Sequence, residues 1–139
     1  MADDILFEKD LIHETIANYC FYFDGAEFDK WVDLFTDDGI FDTGVLGMQE
    51  GKEALKAFTQ NIPLTNGLPM MKHCMMNEVI NITGNSATAK SYFLMLRPNS
   101  EGISIISMSG RYTDELVKQS GRWFFKKRKL FIDTMENML

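Results

Sequence analysis

Apolar residues recur every three or four positions near the start of the chain. Ile5, Ile12, Ile16, Tyr19, Cys20 and Phe23 fall on one stripe. That 3.6-residue period predicts a helix over residues 5–23. Asp24-Gly25 follows, with the glycine expected as the cap. A second, short helix is predicted over 27–35, with Phe28, Trp31, Val32 and Phe35 inward. Thr36-Asp37-Asp38-Gly39 reads as a turn. A short strand over 40–43 and a glycine-punctuated hairpin region over 44–51 come next. The third helix spans 52–60, with Leu55 and Phe58 inward. Residues 61–71 hold Pro63 and Pro69 and show no period, so they read as a loop and a candidate lid.

The pattern then changes. Residues 73–82, 87–97, 103–117 and 122–132 read as four strands. Their separators, Gly84-Asn85, Pro98 to Gly102 and Gln119-Ser120-Gly121, are turn sequences. Helices first and a long antiparallel meander afterwards predict an α+β fold, with three N-terminal helices packed on one face of a curved sheet. Such a sheet closes into a cone around an apolar cavity, the default ligand site of a small domain. The 139 residues fit one domain, 1–139, with no repeat, low-complexity tract or linker.

Composition narrows the function classes. Hydrophobic residues make up 45%, which is globular rather than disordered. The net charge of −6 argues against nucleic acid as a partner. The start, Met-Ala-Asp-Asp-Ile-Leu, is acidic and lacks the basic segment of a secretory leader. No apolar run approaches the roughly 18 residues of a membrane span. A cytoplasmic chain without membrane contact is therefore expected. Cys20 and Cys74 lack Cys-x-x-Cys spacing and read as buried, reduced thiols. Ten methionines, with Met70, Met71, Met75 and Met76 clustered, suit either adaptable core filling or a pliable apolar pocket or subunit interface.

Candidate chemistry centres on one histidine. His73 opens the run His-Cys-Met-Met-Asn-Glu-Val-Ile, and the only other histidine is His13. By two-residue alternation His73 shares a strand face with Met75, Asn77, Val79 and Asn81. A carboxylate accepting its Nδ1–H would fix the tautomer and leave Nε2 to take a proton. Asp24, about 100° around the helix from Phe23, is the candidate for that role. Tyr19 lies within the apolar stripe. Each has a structural alternative: a satisfied histidine, an Asp-Gly turn residue, a core aromatic. Arg128 shares a predicted face with Phe124, Leu130 and Ile132; it faces a cavity or an anionic partner, or belongs to a solvated basic edge. Gly110, Tyr112 and Asp114 share one face of the third strand, and Gly110 is expected to permit bending or close packing. Asn77, Trp31, Met75 and Tyr112 are the candidate ligand contacts. No metal-ligand spacing, nucleophile elbow, phosphate loop or dinucleotide fingerprint is present, so neither metal nor cofactor is expected.

A family resemblance spans almost the whole chain. It rests on Ile16-Ala-Asn-Tyr19 with Asp24, on Asp33-Leu-Phe35-Thr-Asp-Asp-Gly39-Ile-Phe41, and on Gly51-Lys-Glu-Ala-Leu55. It continues through His73-x-x-x-Asn77, Gly84-x-x-Ala87, Ser91-Tyr92, Gly110-x-Tyr112-x-Asp114 and Gly121-Arg-Trp123-x-x-x-x-Arg128. In this order the chain resembles the SnoaL-like family of the nuclear transport factor 2-like superfamily. The pattern is most similar to the family's dehydratases and dehydrochlorinases, in which a histidine base is supported by an aspartate of the first helix. The resemblance implies those roles for His73 and Asp24, a hydrogen-bonding role for Tyr19, and a pocket role for Arg128. One departure stands out: residues 87–97 offer no second histidine or aspartate as leaving-group acid.

Three readings follow. The first is a cofactor-free lyase on a small apolar, cyclic substrate, with His73 as base, Tyr19 as donor and Arg128 on an anionic part of the ligand. The second is an isomerase or polyketide-cyclase-like enzyme recruiting Asp42 and Tyr19. The third is a non-catalytic binding or assembly module. A homodimer or homotrimer is expected, because the open face of a curved sheet needs a cover.

Overall fold

The computed structural model describes residues 2–136. The first helix, α1, runs Ala2–Asp24. Ile12, Ile16, Tyr19, Cys20 and Phe23 are buried along it as the stripe predicts, whereas Ile5 lies in solvent. The left-handed residue closing the helix is Ala26, at φ 57°, and not Gly25. The Glu27 N–H donates to the Tyr22 carbonyl, so the chain reverses directly into α2, Phe28–Val32. α2 is shorter than expected, because Phe35 already belongs to a strand.

That strand, β1, runs Phe35–Asp42 and absorbs the Thr36-to-Gly39 segment expected as a turn. The segment is an irregularity within the strand: pairing with the last strand shifts between Phe35 and Ile40. A 3₁₀ turn at Gly44–Leu46 leads to β2, Met48–Glu50, completing the expected hairpin. Helix α3 spans Lys52–Gln60 as predicted. Within residues 61–71 the backbone pairs once, Thr65 with Leu68, around Asn66 and Gly67 at positive φ.

Four long strands follow: β3 Lys72–Thr83, β4 Ser86–Pro98, β5 Ser104–Gln119 and β6 Arg122–Met135. The sheet order is β2-β1-β6-β5-β4-β3. All neighbours are antiparallel except β1 and β6, which run parallel. The helices cover one face of this sheet, and the core lies between them.

Two bulges decide which side chains face that core. In β3 the pairing shifts between Met76 and Val79, with Asn77 at φ 60°. In β6 an extra residue, Lys126, sits between Phe125 and Lys127 opposite β5. Each bulge moves the following residues to the other face. Ile80 is therefore buried and Val79 exposed, and Phe125 faces inward where Phe124 was expected. Gly110 serves close packing: a Cβ there would lie 2.0 Å from the Phe131 carbonyl oxygen. No helix among the described residues is long and apolar enough to cross a membrane. Cys20 and Cys74 are both free thiols; Cys20 is buried and Cys74 only half-buried. Burial pushes the Cys20 thiol up to about 12.

Candidate active site

Tyr19 and Phe23 are four residues apart on the buried stripe of α1, and Asp24 is the last residue of that helix. The last turn therefore presents two rings and a carboxylate to the start of β3. His73 is the residue that meets them. Its backbone N–H donates to Asp24 Oδ2 at 2.8 Å, and its ring Nδ1 lies 2.6 Å from Asp24 Oδ1. A carboxylate only accepts, so Nδ1 carries a proton, and in the neutral imidazole Nε2 is the nitrogen with the lone pair. The imidazole stands edge-on to Tyr19 and Phe23, with ring centroids 5.9 Å and 5.4 Å away. The His73 side chain is 5% exposed and that of Asp24 18%. The carboxylate thus sits at the boundary between interior and solvent.

Deeper in the cone the Tyr19 and Tyr112 hydroxyls lie 3.2 Å apart. Burial lifts the Tyr19 pKa well above the usual phenol value, reinforced by Tyr112, and pushes Tyr112 up to about 12. Both phenols are neutral donors near pH 7. One bond between them uses one hydroxyl proton and leaves the other unspent.

Arg128 is where the structure departs most from the sequence reading. It is 0% exposed, with the face of its guanidinium 4.1 Å from the Tyr19 ring centroid and 4.0 Å from that of Tyr112. Its Nε donates to Asp114 Oδ1 at 2.9 Å and its Nη2 to Oδ2 at 3.3 Å. Burial opposes the charge, yet Asp114 and the two phenols outweigh it, and the Arg128 pKa rises. Arg128 is therefore neither an edge cation nor a free pocket cation; a buried guanidinium needs a counter-charge, and Asp114 supplies it.

The other expected ligand contacts divide. Met75 packs beside His73 against the core. Trp31 is fully buried between Tyr19, Phe23, Phe35 and Phe41, which makes it core instead of a ligand contact. Tyr112 is likewise core. Asn77 is exposed on the bulge and lines the outer face with Tyr92 and Arg111, so it does not share a face with His73. Glu78 takes the inward place and bonds His13 of α1. These aromatic side chains pack against one another through the interior. Open space lies at the mouth. A groove of about 370 Å³ there is bounded by Asp24, Leu68, Met70, Met71, Lys72, Leu96, Arg97, Pro98 and Ser104. A somewhat larger concavity, about 420 Å³, lies on the outer face of the sheet among Lys90, Glu115, Lys127 and Lys129, away from His73.

Sequence reasoning missed Asp114 as the partner of Arg128 and Arg97 as a groove residue. For Asp114 a signal existed, since strand alternation already put it on the face of Tyr112.

A cone of this kind, with helices closing a strongly curved sheet over a histidine–aspartate pair, defines a nuclear transport factor 2-like fold. The chain matches the SnoaL-like domain family over residues 6–129 and belongs to that family. A comparison with curated proteins found no match. Among solved structures it is similar to a Novosphingobium aromaticivorans protein described as a candidate scytalone dehydratase. That likeness has 25% identity, 100% of this chain and 93% of that chain covered, and a TM-score of 0.86. It is also similar to a Mycobacterium tuberculosis protein of unknown function, at 25% identity, 96% and 76% coverage and TM-score 0.84. A third likeness, in fold alone, is to a candidate β subunit of an aromatic-ring-hydroxylating dioxygenase from N. aromaticivorans. There the identity is 19%, the coverage 95% and 93%, and the TM-score 0.83.

Proposed function

We propose that this protein is a cofactor-independent lyase that eliminates water or hydrogen halide from a small apolar, cyclic substrate. The observation that carries this reading is the 2.6 Å contact of His73 Nδ1 with Asp24, itself a lining residue of the mouth groove; in the neutral imidazole that contact leaves Nε2 as proton acceptor. The similarity to a candidate scytalone dehydratase points the same way.

In this reading Nε2 takes a proton from a carbon next to an activating group. The C–H electron pair becomes the new C=C bond, and the leaving group departs with the electrons of its own bond. The imidazolium is stabilised by Asp24. The unspent phenol proton of the Tyr19–Tyr112 pair hydrogen-bonds the departing oxygen, the task for which β4 supplies no histidine or aspartate. The substrate enters through the mouth, where Met71 and Met75 have side chains flexible enough to yield space.

The test is a screen of hydroxylated and halogenated cyclic compounds by mass spectrometry. Loss of water or hydrogen halide is expected, and His73→Ala abolishes it while ligand binding persists. A product of unchanged mass replaces elimination with isomerisation. A second reading, a non-catalytic binding or assembly module, is favoured by one observation: the chain's own aromatic side chains occupy the cone interior. Ligand binding without any product in the screen selects it.

A further inference from the structure

The mouth groove holds a feature that elimination chemistry does not use. Arg97 lines it, and its Nε–H is buried without a hydrogen-bond partner. Among the described residues its half-buried guanidinium makes no ion pair. Arg97 follows Met95 by two residues along β4, on the same strand face, and Met95 is the register partner of His73. The strand rise puts Arg97 on the order of 7 Å further toward the mouth than His73.

The charges around the groove add to this. Its ionisable lining residues are Asp24, Lys72 and Arg97. Both Asp24 oxygens are turned to His73, so the two cations face the open space. The rest of the lining is mostly apolar, with Leu68, Met70, Met71 and Leu96 providing the walls. An apolar trough with an unpaired guanidinium in its wall, bordered by the Asp24 carboxylate already bonded to His73, is complementary to one ligand chemistry: a compact apolar carboxylate.

We infer that Arg97, assisted by Lys72, anchors the carboxylate of an apolar acid whose hydrophobic body lies along the groove toward His73. This deepens the lyase reading and rests on it for the role of His73, but the anchor is measured by binding alone. A carboxylate oxygen at Arg97 satisfies the orphaned Nε–H. It also fixes the ligand's polar end two strand residues, about 7 Å of strand rise, beyond the level of His73.

Titration calorimetry on the full chain with 2-naphthoate and with 2-naphthamide tests the anchor. The two probes share shape and differ in charge. Naphthoate is expected to bind about tenfold or more tighter, the usual worth of a charge-assisted hydrogen bond. Added salt should narrow the difference. Arg97→Gln should bring the two affinities within about twofold by weakening naphthoate alone, and Lys72→Gln should narrow them less. Equal affinities in the native chain, no naphthoate binding at about 1 mM, or a preference that survives Arg97→Gln each overturns the anchor. Arg97→Lys keeps the charge without the fork and should retain part of the preference that Arg97→Gln loses. Failure of the lyase reading looks different: His73→Gln and native chain bind naphthoate alike, yet no compound in the elimination screen is turned over.

Discussion

Two carboxylate–cation-type pairs lie within the same cone, and they differ in nearly everything except composition. Asp24–His73 sits at the mouth, with the carboxylate 18% exposed. Its imidazole has a second ring nitrogen free of the carboxylate. Asp114–Arg128 lies in the depth, with both side chains fully enclosed and the guanidinium between two phenol rings. Its base does not titrate in any working range. In the proposed lyase the first pair exchanges a proton with a ligand, whereas the second ties β5 to β6 beneath α1.

Breaking the deep pair is expected to have the largest effect. Arg128→Met leaves Asp114 as an uncompensated buried charge and should cost about 3–5 kcal/mol in urea unfolding. Replacing both partners, Asp114→Leu with Arg128→Met, should recover most of that loss. A single-variant cost under about 1 kcal/mol would remove the structural assignment.

The mouth pair should respond in the opposite way. His73→Gln is expected to lower elimination by about 10²–10⁴-fold, with an unfolding free energy close to native. Asp24→Asn should also cut turnover, because the amide can donate to Nδ1 and permits the wrong tautomer. Unfolding and single-turnover measurements on the same preparations separate the two pairs directly. A His73 variant that loses as much stability as Arg128→Met would collapse the contrast.

Tyr19→Phe lies between them in space and in expected magnitude. It leaves the Tyr112 hydroxyl buried without its partner, which should cost about 1–3 kcal/mol. The same change removes the donor proposed for the leaving group. Turnover should therefore fall most for substrates that lose hydroxide and least for those that lose halide.

The smallest effect is expected far from both pairs. Glu8 accepts hydrogen bonds from Lys118 Nζ and Trp123 Nε1, each at 2.6 Å, and pins α1 to the far ends of β5 and β6. The Lys118 bond, then the Trp123 bond, holds the Glu8 carboxyl below its ordinary value of 4.5. A depressed carboxyl contributes stability above that ordinary value and loses it as pH falls through the folded value. Urea midpoints of native chain should drop more steeply below pH 4.5 than those of Glu8→Gln. Parallel curves would show that this contact does not couple to folding.

The sequence carried much of the fold and part of the site. The α1 stripe and α3 were legible because they are local: one periodicity with flanking turn residues specifies them. The link between Asp24 and His73 was legible as a candidate from the stripe edge and the scarcity of histidine, and the family resemblance supported it, although 49 residues separate them. The errors also have local causes. Thr36 to Gly39 has turn composition but lies in β1, where pairing to β6 outweighs that preference. Asn77 and Phe124 were placed on the inner face because alternation assumes an unbroken ladder, and a single bulged residue reverses it.

The chain by itself determined the element inventory, the helices-then-strands order, the buried stripe ending in Asp24, and the scarcity of histidine that singles out His73. These follow from periodicity and composition, which neighbouring residues set. Tertiary structure alone decided that Arg128 is neutralised by Asp114 and not offered to a ligand. It also decided that aromatic side chains pack through the cone interior, and that Arg97 at the mouth has no ion-pair partner among the described residues. Each of these depends on which strands are neighbours and where the bulges shift the register, and residues distant in sequence decide both.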